Sequence, residues 1–205
     1  MTKTRAVGIP EPGGAEVLRV IERPVRDPAA GEIRIRVRFA AVNPTDIGTR
    51  TRGVEGLEPP WIPGMDAAGT VEALGEGVTG LEIGQEVMAV TSPRRPEGGA
   101  QTELLVVPAA SVVPVPENVS LQAAATLPMN GLTAMLGLEQ LGLTAGETLA
   151  VSGGAGLLAS YVIPLARDAG LRVIADARAE DEALVHGYGA DVVIERSDDF
   201  AAAVR

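Results

Sequence analysis

The sequence contains no cysteine, and His186 is its single histidine among 205 residues. The absence of cysteine excludes disulfides, thiolate zinc sites and cysteine nucleophiles. One histidine is also too few for most imidazole-based metal sites. We therefore expect a protein without a bound metal.

Long apolar runs are missing as well. The first residues, MTKTRAVGIPEPGG, carry charge and lack the apolar segment that is typical of a signal peptide. No uninterrupted apolar stretch approaches the roughly 18 residues that are needed to cross a bilayer. These two absences predict a cytoplasmic protein that does not bind membranes.

Positive charge is scarce relative to negative charge. The chain has 17 Lys and Arg against 27 Asp and Glu, which gives a formal net charge of -10. A chain this acidic is repelled by phosphate backbones, so we do not expect a nucleic-acid partner. Hydrophobic residues make up 46% and charged residues 21%, a balance that is typical of folded globular domains.

The first half of the chain has the period of short β-strands. In residues 32–39, EIRIRVRF, the apolar side chains fall on one face and three arginines on the other. We interpret the arginine row as a solvated face. Many short strands separated by Gly/Pro-rich turns favour a barrel or sandwich. Further strands are predicted at residues 6–9, 16–22, 69–74, 86–90 and 102–107.

The pattern changes near Pro116, where strands begin to alternate with helices of about 10–15 residues. This alternation predicts βαβ units and a parallel sheet. We therefore predict two domains, at residues 1–116 and 117–205. In the second domain, helices are expected at residues 120–128, 129–142, 157–170 and 180–189 and from Asp198, and strands at residues 148–152, 172–177 and 191–194.

A glycine-rich turn lies between a predicted strand and a predicted helix. Gly154, Gly156 and Ala159 satisfy the pattern G-x-G-x-x-G/A, in which glycines permit a tight turn and a close approach to a pyrophosphate. Such a turn binds phosphates with backbone N–H groups at the helix N-terminus. The alternative is an ordinary strand-to-helix turn. The expected cofactor-binding N–H groups belong to Ala155, Gly156, Leu157 and Leu158.

Coenzyme choice is predicted from the end of the second strand, which reads ADAR. Asp176 could bind the ribose hydroxyls of NAD, whereas Arg178 could meet the 2′-phosphate of NADP. Arg178 as a solvated loop residue is a further alternative. We favour Arg178 and NADP(H).

Longer stretches of the chain resemble the zinc-free medium-chain dehydrogenase/reductases, and in particular the quinone oxidoreductase branch. The resemblance rests on the order and spacing of AAVNPTDIGTR, WIPGMDAAGTVEALGEGVTGLEIGQEV, GGAQTELLVVPAASVVPVPENVSLQAAATLPMNGLTA, AVSGGAG and GYGADVVI. It implies a mixed fold, with an N-terminal GroES-like β-barrel domain followed by a doubly wound Rossmann-type α/β domain.

Two positions of the resemblance concern chemistry. Zinc-dependent relatives have a histidine after the glycine of the PG turn, and Met65 stands there in this chain. Many members have a tyrosine in the loop between NPTD and PGMD, where enoyl-thioester reductases can use it as a proton donor, and this loop reads RTRGVEGLEPPW here. This loop has no tyrosine, and Glu55 lies near the expected position. The resemblance thus implies a zinc-independent enzyme and disfavours an enoyl-thioester reductase.

The chain ends at Arg205, before the nucleotide domain of such relatives is complete. We expect either a shortened form or a natural truncation. If the chain is complete, the family implies a homodimer.

The activity implied by the resemblance is hydride transfer from NADPH to a quinone or an α,β-unsaturated carbonyl. Thr133 is implied beside the nicotinamide, although a threonine at a helix start can also be a cap. Asn43 is a candidate to hold the acceptor oxygen, and Asp46 is a candidate proton relay. Both can also be simple turn formers. Alternatives are an enoyl-thioester reductase and a non-catalytic, NADPH-binding or structural member of the family.

Overall fold

The computed structural model describes residues 2–204 of the chain. Its contacts divide the chain into two units, Met1–Met129 and Asn130–Arg205. The predicted boundary at Pro116 is the place where the sequence pattern changes, and the division by contacts lies later in the chain. Each unit is described below by itself.

The first unit is mostly β-structure. A five-stranded antiparallel sheet has the order β6-β3-β4-β5-β7, and β1 and β2 form a separate antiparallel pair. The elements are β1 (Thr2–Gly8), β2 (Arg19–Val25), β3 (Glu32–Ala40), α1 (Pro44–Arg52), β4 (Asp66–Leu74), β5 (Glu86–Val90), β6 (Leu104–Pro108), β7 (Val112–Pro114) and α2 (Leu121–Ala124).

The core of the first unit is built by the apolar face of the strands. Ile33 and Ile35 of β3 are fully buried, as the alternation in EIRIRVRF predicts, and they pack with Val71, Val87 and Leu105 from neighbouring strands. Burying each such side chain stabilises the fold by about 1.5–3 kcal/mol. The periodicity therefore identified the core face of this sheet.

Arg34 and Arg36 of β3 form ion pairs on the opposite face. Glu72 of β4 accepts hydrogen bonds from Arg34 Nε and from Arg36 Nη2, the latter at 2.8 Å. Asp27 lies 2.8 Å from Arg34 Nη1. Arg34 and Arg36 are therefore part of a cross-strand charge ladder, and their carboxylate partners are present within the chain.

Residues after Pro116 also pack on the first unit. Ala124 and Ala125, in and after α2, are buried in a small cluster with Ala68 of β4 and Met88 of β5. This contact explains why the division by contacts comes after α2 rather than at Pro116. The helix itself is shorter than the predicted segment 120–128.

Helix α1 is an element that the sequence did not predict. Asn43-Pro44 resembles a turn, and Gly48 and the threonines of this segment are weak helix formers. The helix is nevertheless stable at its start, because proline suits the first helical position and because the Asp46 carboxylate accepts the backbone N–H of Asn43.

The second unit contains the predicted parallel sheet, with strand order β10-β9-β8. Its core includes Leu149, Ile163, Val173, Ala175 and Val185, from both strands and helices. The alternation of strands and helices is confirmed. The elements are α3 (Pro128–Leu141), which begins before the unit boundary, β8 (Thr148–Val151), α4 (Leu157–Asp168), β9 (Arg172–Ala177), α5 (Glu182–Tyr188), β10 (Val192–Glu195) and α6 (Phe200–Ala203).

Helix length bears on the membrane prediction. Over residues 2–204, none of the helices combines the length and the hydropathy of a bilayer span.

Strand β4 approaches β3 closely at Gly69. A Cβ atom at Gly69 would lie 2.1 Å from the carbonyl oxygen of Arg36, which is backbone and cannot rotate away. We predict that Gly69→Ala lowers the free energy of unfolding by about 1–3 kcal/mol. Urea unfolding measures this change.

A matched control is Gly137→Ala in α3. A Cβ atom there meets no atom within 4 Å, so alanine should raise stability by about 0.5–1 kcal/mol through helix propensity. Equal stability of Gly69→Ala and the parent protein would contradict the close approach of the two strands.

Candidate functional site

The glycine-rich turn connects β8 to α4 and is tightly folded. Gly153 has a φ of 77°, a conformation that favours glycine, and its carbonyl accepts the N–H of Gly156 at 2.8 Å. Gly154 donates its N–H to the carbonyl of Asp176 at 2.9 Å. A Cβ atom at Gly154 would lie 2.7 Å from that same carbonyl. The turn thus needs its glycines for conformation and for close packing on β9.

Helix α4 begins directly after this turn. Gly156 is its N-cap and has no side-chain oxygen to accept the first N–H groups of the helix. Of the four N–H groups predicted to bind phosphate, that of Gly156 is bonded to the carbonyl of Gly153. Those of Ala155, Leu157 and Leu158 have no protein acceptor within residues 2–204. The positive end of the helix dipole adds to these donors. The turn therefore presents a set of N–H groups of the kind that binds phosphate.

Asp176 lies beneath the turn. It is only 2% exposed, and its Oδ1 accepts hydrogen bonds from the N–H of Gly153 and, at 3.4 Å, from that of Gly154. The hydroxyl of Ser152 lies 3.5 Å from Oδ2. These bonds give the carboxylate a structural task in holding the turn. The predicted contact with ribose hydroxyls stays a prediction.

Arg178 follows the last residue of β9 and is 68% exposed at its side chain. Its Nη1 lies 3.6 Å from Oε1 of Glu180, which is also exposed. Such a surface ion pair contributes little free energy, so the guanidinium can change partners easily. The structure therefore leaves Arg178 accessible, and its contact with a 2′-phosphate stays a prediction.

Thr133 lies in the second turn of α3. The helix begins at Pro128, so Thr133 is not an N-terminal cap, and its side chain is exposed. Its position beside a nicotinamide stays a prediction.

In the first unit, Asp46 is buried and bonded to backbone. Its Oδ2 accepts the N–H of Asn43 at 2.8 Å, and its Oδ1 accepts the N–H of Gly64 at 2.7 Å. The carboxylate thereby ties the start of α1 to the turn that precedes β4. A role of Asp46 as a proton relay stays a prediction.

Asn43 is also buried, and its amide points at a residue that the sequence did not single out. Nδ2 of Asn43 donates to Oδ2 of Asp66 at 2.6 Å, and the N–H of Met129 donates to Oδ1 of Asp66 at 2.5 Å. Asp66 therefore orients the Asn43 amide. The sequence signal that could have identified Asp66 is its position directly after Met65, in the stretch WIPGMD of the family resemblance.

Burial governs the ionisation of Asp66. Its side chain is fully buried, and loss of hydration raises its pKa above the ordinary value of 3.8. The hydrogen bonds from Met129 and Asn43 oppose this rise, and the nearby charge of Asp46 adds to it. Asp66 is thus harder to ionise than an exposed aspartate.

A cleft of about 740 Å³ lies beside α1, and we call it the α1 cleft. It combines apolar groups, hydroxyls and charged side chains. Asn43 and Asp46 are not among its lining residues in the described chain. The lining residues are Thr45, Gly48, Thr49, Arg52, Gly53, Val54, Glu55, Met65, Ser92, Pro93 and Arg94.

The donor chemistry near Met65 is poorly suited to zinc. Met65 offers a thioether, and the nearby Asn43 amide is bonded to Asp66. Among residues 2–204, no group of three His, Cys, Asp or Glu side chains is arranged to hold a metal ion. Zinc is typically bound by thiolates, imidazoles and carboxylates, so these residues do not form a conventional zinc site.

The raised pKa of Asp66 implies that the free energy of unfolding depends on pH. The native state retains a proton at Asp66 above the pKa of about 3.9 in the unfolded chain. The contribution of Asp66 to the free energy of unfolding therefore falls as pH rises from about 4 through the native pKa. We expect the stability difference, parent minus Asp66→Asn, to decrease over this range in urea unfolding.

The Asp66→Asn variant is the reference for this measurement. The other carboxylates titrate in both proteins, so their contributions cancel in the stability difference. Glu32, for example, has a pKa lowered to about 2 by its hydrogen bond with Arg26 and favours the opposite slope in both. A stability difference that increases with pH would contradict the burial of an aspartate with a raised pKa.

Comparison with known proteins gives a family match within the first unit. Residues 29–117 match the family described as "Alcohol dehydrogenase GroES-like domain". The GroES-like assignment of the first unit is therefore confirmed.

Three relatives extend the comparison to the rest of the chain. The human "Synaptic vesicle membrane protein VAT-1 homolog-like" is 34% identical over 138 residues, which are 67% of this chain and 32% of that protein. The quinone oxidoreductase from Coxiella burnetii is 27% identical with a TM-score of 0.87, covering 100% of this chain and 66% of that structure. A mycobacterial protein complexed with NADPH is 32% identical with a TM-score of 0.84, covering 98% and 62%.

The chain thus spans about a third of the VAT-1 relative and under two thirds of the mycobacterial structure. The matched part includes both the antiparallel unit and the parallel sheet β8-β9-β10, so the predicted mixed fold is confirmed. The chain belongs to the medium-chain dehydrogenase/reductase superfamily and to its quinone oxidoreductase branch.

Proposed function

We propose that this chain forms part of an NADPH-dependent, zinc-independent oxidoreductase that transfers hydride to a quinone or an α,β-unsaturated carbonyl. The observation that carries the proposal is the glycine turn at the start of α4, with its row of N–H groups. The acceptor class, the preference for NADPH, a homodimeric assembly and a cytoplasmic location all belong to this proposal.

The residues of the turn fit a dinucleotide. Gly156 has no Cβ atom, and one added there would lie 3.0 Å from the carbonyl oxygen of Gly153, in the space beside the helix start. The N–H groups of Ala155, Leu157 and Leu158 supply donors for a pyrophosphate. NADPH, when bound, supplies a hydride from its nicotinamide ring. A relative with 32% identity is complexed with NADPH, which supports the choice of this cofactor.

The α1 cleft is the proposed acceptor site. Met65, Val54 and Pro93 give it apolar surface for a conjugated ring, and Thr45 and Ser92 contribute hydroxyl groups that can donate to a carbonyl oxygen. These donors would stabilise negative charge that develops on the acceptor oxygen. Asp66 and Asp46 would keep this region in shape through their backbone bonds.

Gly156→Val tests the phosphate turn. The added side chain would occupy the space beside the Gly153 carbonyl that a pyrophosphate needs. We predict that NADPH binds at least about tenfold more weakly, which corresponds to about 1.4 kcal/mol. Calorimetric titration measures this loss at a temperature at which circular dichroism shows both proteins folded.

Gly137→Val is the matched control, because a Cβ atom at this position in α3 meets no atom within 4 Å. It should leave NADPH affinity unchanged. Equal affinity of Gly156→Val and the parent would mean that the turn does not bind phosphate.

Coenzyme choice is tested at Arg178. Because the Asp176 carboxylate is occupied by the turn, we propose that the exposed guanidinium decides between the coenzymes. A charge-assisted contact contributes about 1.5–3 kcal/mol, or roughly 10- to 150-fold in affinity. NADPH should bind at least about tenfold more tightly than NADH, and Arg178→Ala should remove most of this preference without changing NADH affinity.

Arg172→Ala is the control for charge, since Arg172 is an exposed arginine at the opposite end of β9. It should keep the preference for NADPH. A parent protein that prefers NADH would contradict the proposal and indicate that Asp176 binds the ribose.

A further inference from the structure

The α1 cleft has two arginines on its surface. Arg52 is the last residue of α1, and Arg94 belongs to the loop between β5 and β6. Both are solvent-exposed. The chain segments that carry them are far apart in sequence, and the fold brings both arginines to the same cleft.

These two arginines differ in their partners from Arg34 and Arg36 of the β-sheet. Arg34 and Arg36 pair with Glu72 on the sheet face. For Arg52 and Arg94, no carboxylate oxygen lies within 4.0 Å in the described part of the chain. Their charges are therefore not neutralised by a direct ion pair.

The position of Arg52 depends on the absence of a side chain at Gly48. A Cβ atom at Gly48 would lie 2.7 Å from Nη2 of Arg52, so the guanidinium folds back over this glycine along α1. Gly48 itself lines the cleft. In this arrangement the guanidinium of Arg52 thus packs over Gly48 at the cleft wall.

The local charge opposes that of the whole protein. Arg52, Arg94 and Glu55 are the titratable side chains among the described lining residues, which gives the cleft a net charge of +1 from two cations and one anion. The chain as a whole carries -10. The lining of the cleft therefore repels an anionic ligand less than the average surface of this acidic chain does.

We propose that the α1 cleft selects acceptors that carry an anionic group, a carboxylate or a phosphate, which Arg52 and Arg94 bind. Guanidinium groups bind both anions through paired N–H donors. Val54, Met65 and Pro93 receive the apolar, conjugated part of the same molecule. This inference rests on the proposed function, because it takes the α1 cleft as the acceptor site.

The test uses three naphthoquinones that differ only at the end of a saturated side chain: a propionate, its methyl ester and a propyl phosphate. The saturated spacer keeps their reduction potentials matched. With NADPH as donor and at low salt, the parent should give a higher kcat/KM for the anions than for the ester. The preference should decline with added salt, since the Debye length is about 10 Å at 0.1 M.

Arg52→Gln and Arg94→Gln should each lower the anion-to-ester ratio of kcat/KM by about two- to fivefold, because both arginines are exposed. The double variant should lower it by about tenfold. Arg38→Gln, which changes the net charge equally at an exposed position outside the cleft, should leave the ratio unchanged. A preference for the phosphate over the propionate would identify the anion as phosphate and support the proposal.

Binding without NADPH separates this inference from the proposed function. Trp61 is the single tryptophan of the chain, and its ring lies beside Gly53, a residue of the cleft wall. Quenching of its fluorescence therefore reports quinone binding. Tighter binding of the anions that is lost in the double variant, without any turnover, would support the anion site and contradict the reductase proposal.

Turnover of anions and ester at the same kcat/KM, unchanged in the double variant, would overturn the anion site and leave the reductase proposal intact. The same conclusion would follow if Arg38→Gln lowered the ratio as much as the cleft variants do. Thermal unfolding of each variant establishes that the compared proteins are folded.

Discussion

Buried aspartate carboxylates that accept backbone N–H groups hold both candidate sites in shape. Asp46 joins the start of α1 to the turn before β4, Asp66 accepts from Met129, and Asp176 accepts from the glycine turn. A buried charge is costly unless it is hydrogen-bonded, so each of these carboxylates constrains the backbone around it. The loops that would meet a cofactor or an acceptor are therefore fixed by groups that lie behind them.

The buried carboxylates and the exposed cations have different roles in this arrangement. A carboxylate that binds N–H groups within the fold is poorly placed to bind a ligand as well, and so we propose that exposed cations make the ligand contacts. In the second unit, Asp176 supports the turn while Arg178 remains exposed. In the first unit, Asp46 and Asp66 are buried, while Arg52 and Arg94 lie at the surface of the α1 cleft. The acidic chain thus exposes positive charge at both places.

Much of the fold was predictable from the sequence, because the alternation in β3 and the strand-turn-helix pattern around Gly154 and Gly156 are local signals. Helix α1 was not predictable, because Asn43-Pro44 resembles a turn. The bond of Asp46 with Gly64 also forms only when the chain is folded. Asp66 was missed for the same reason, since its partners are Asn43 and Met129, which are distant in sequence. That Arg52 and Arg94 line one cleft likewise depends on the tertiary fold and has no local signal in the sequence.

We propose that the glycine-rich turn binds a dinucleotide with the N–H groups at the start of α4 while Asp176 continues to hold the turn. A ¹H–¹⁵N correlation spectrum recorded with and without NADPH tests both parts at once. We expect the largest shifts at the amides of Ala155, Leu157 and Leu158, and little change at Gly153, whose N–H stays bonded to Asp176. A large shift at Gly153 with none at Leu157 and Leu158 would contradict it.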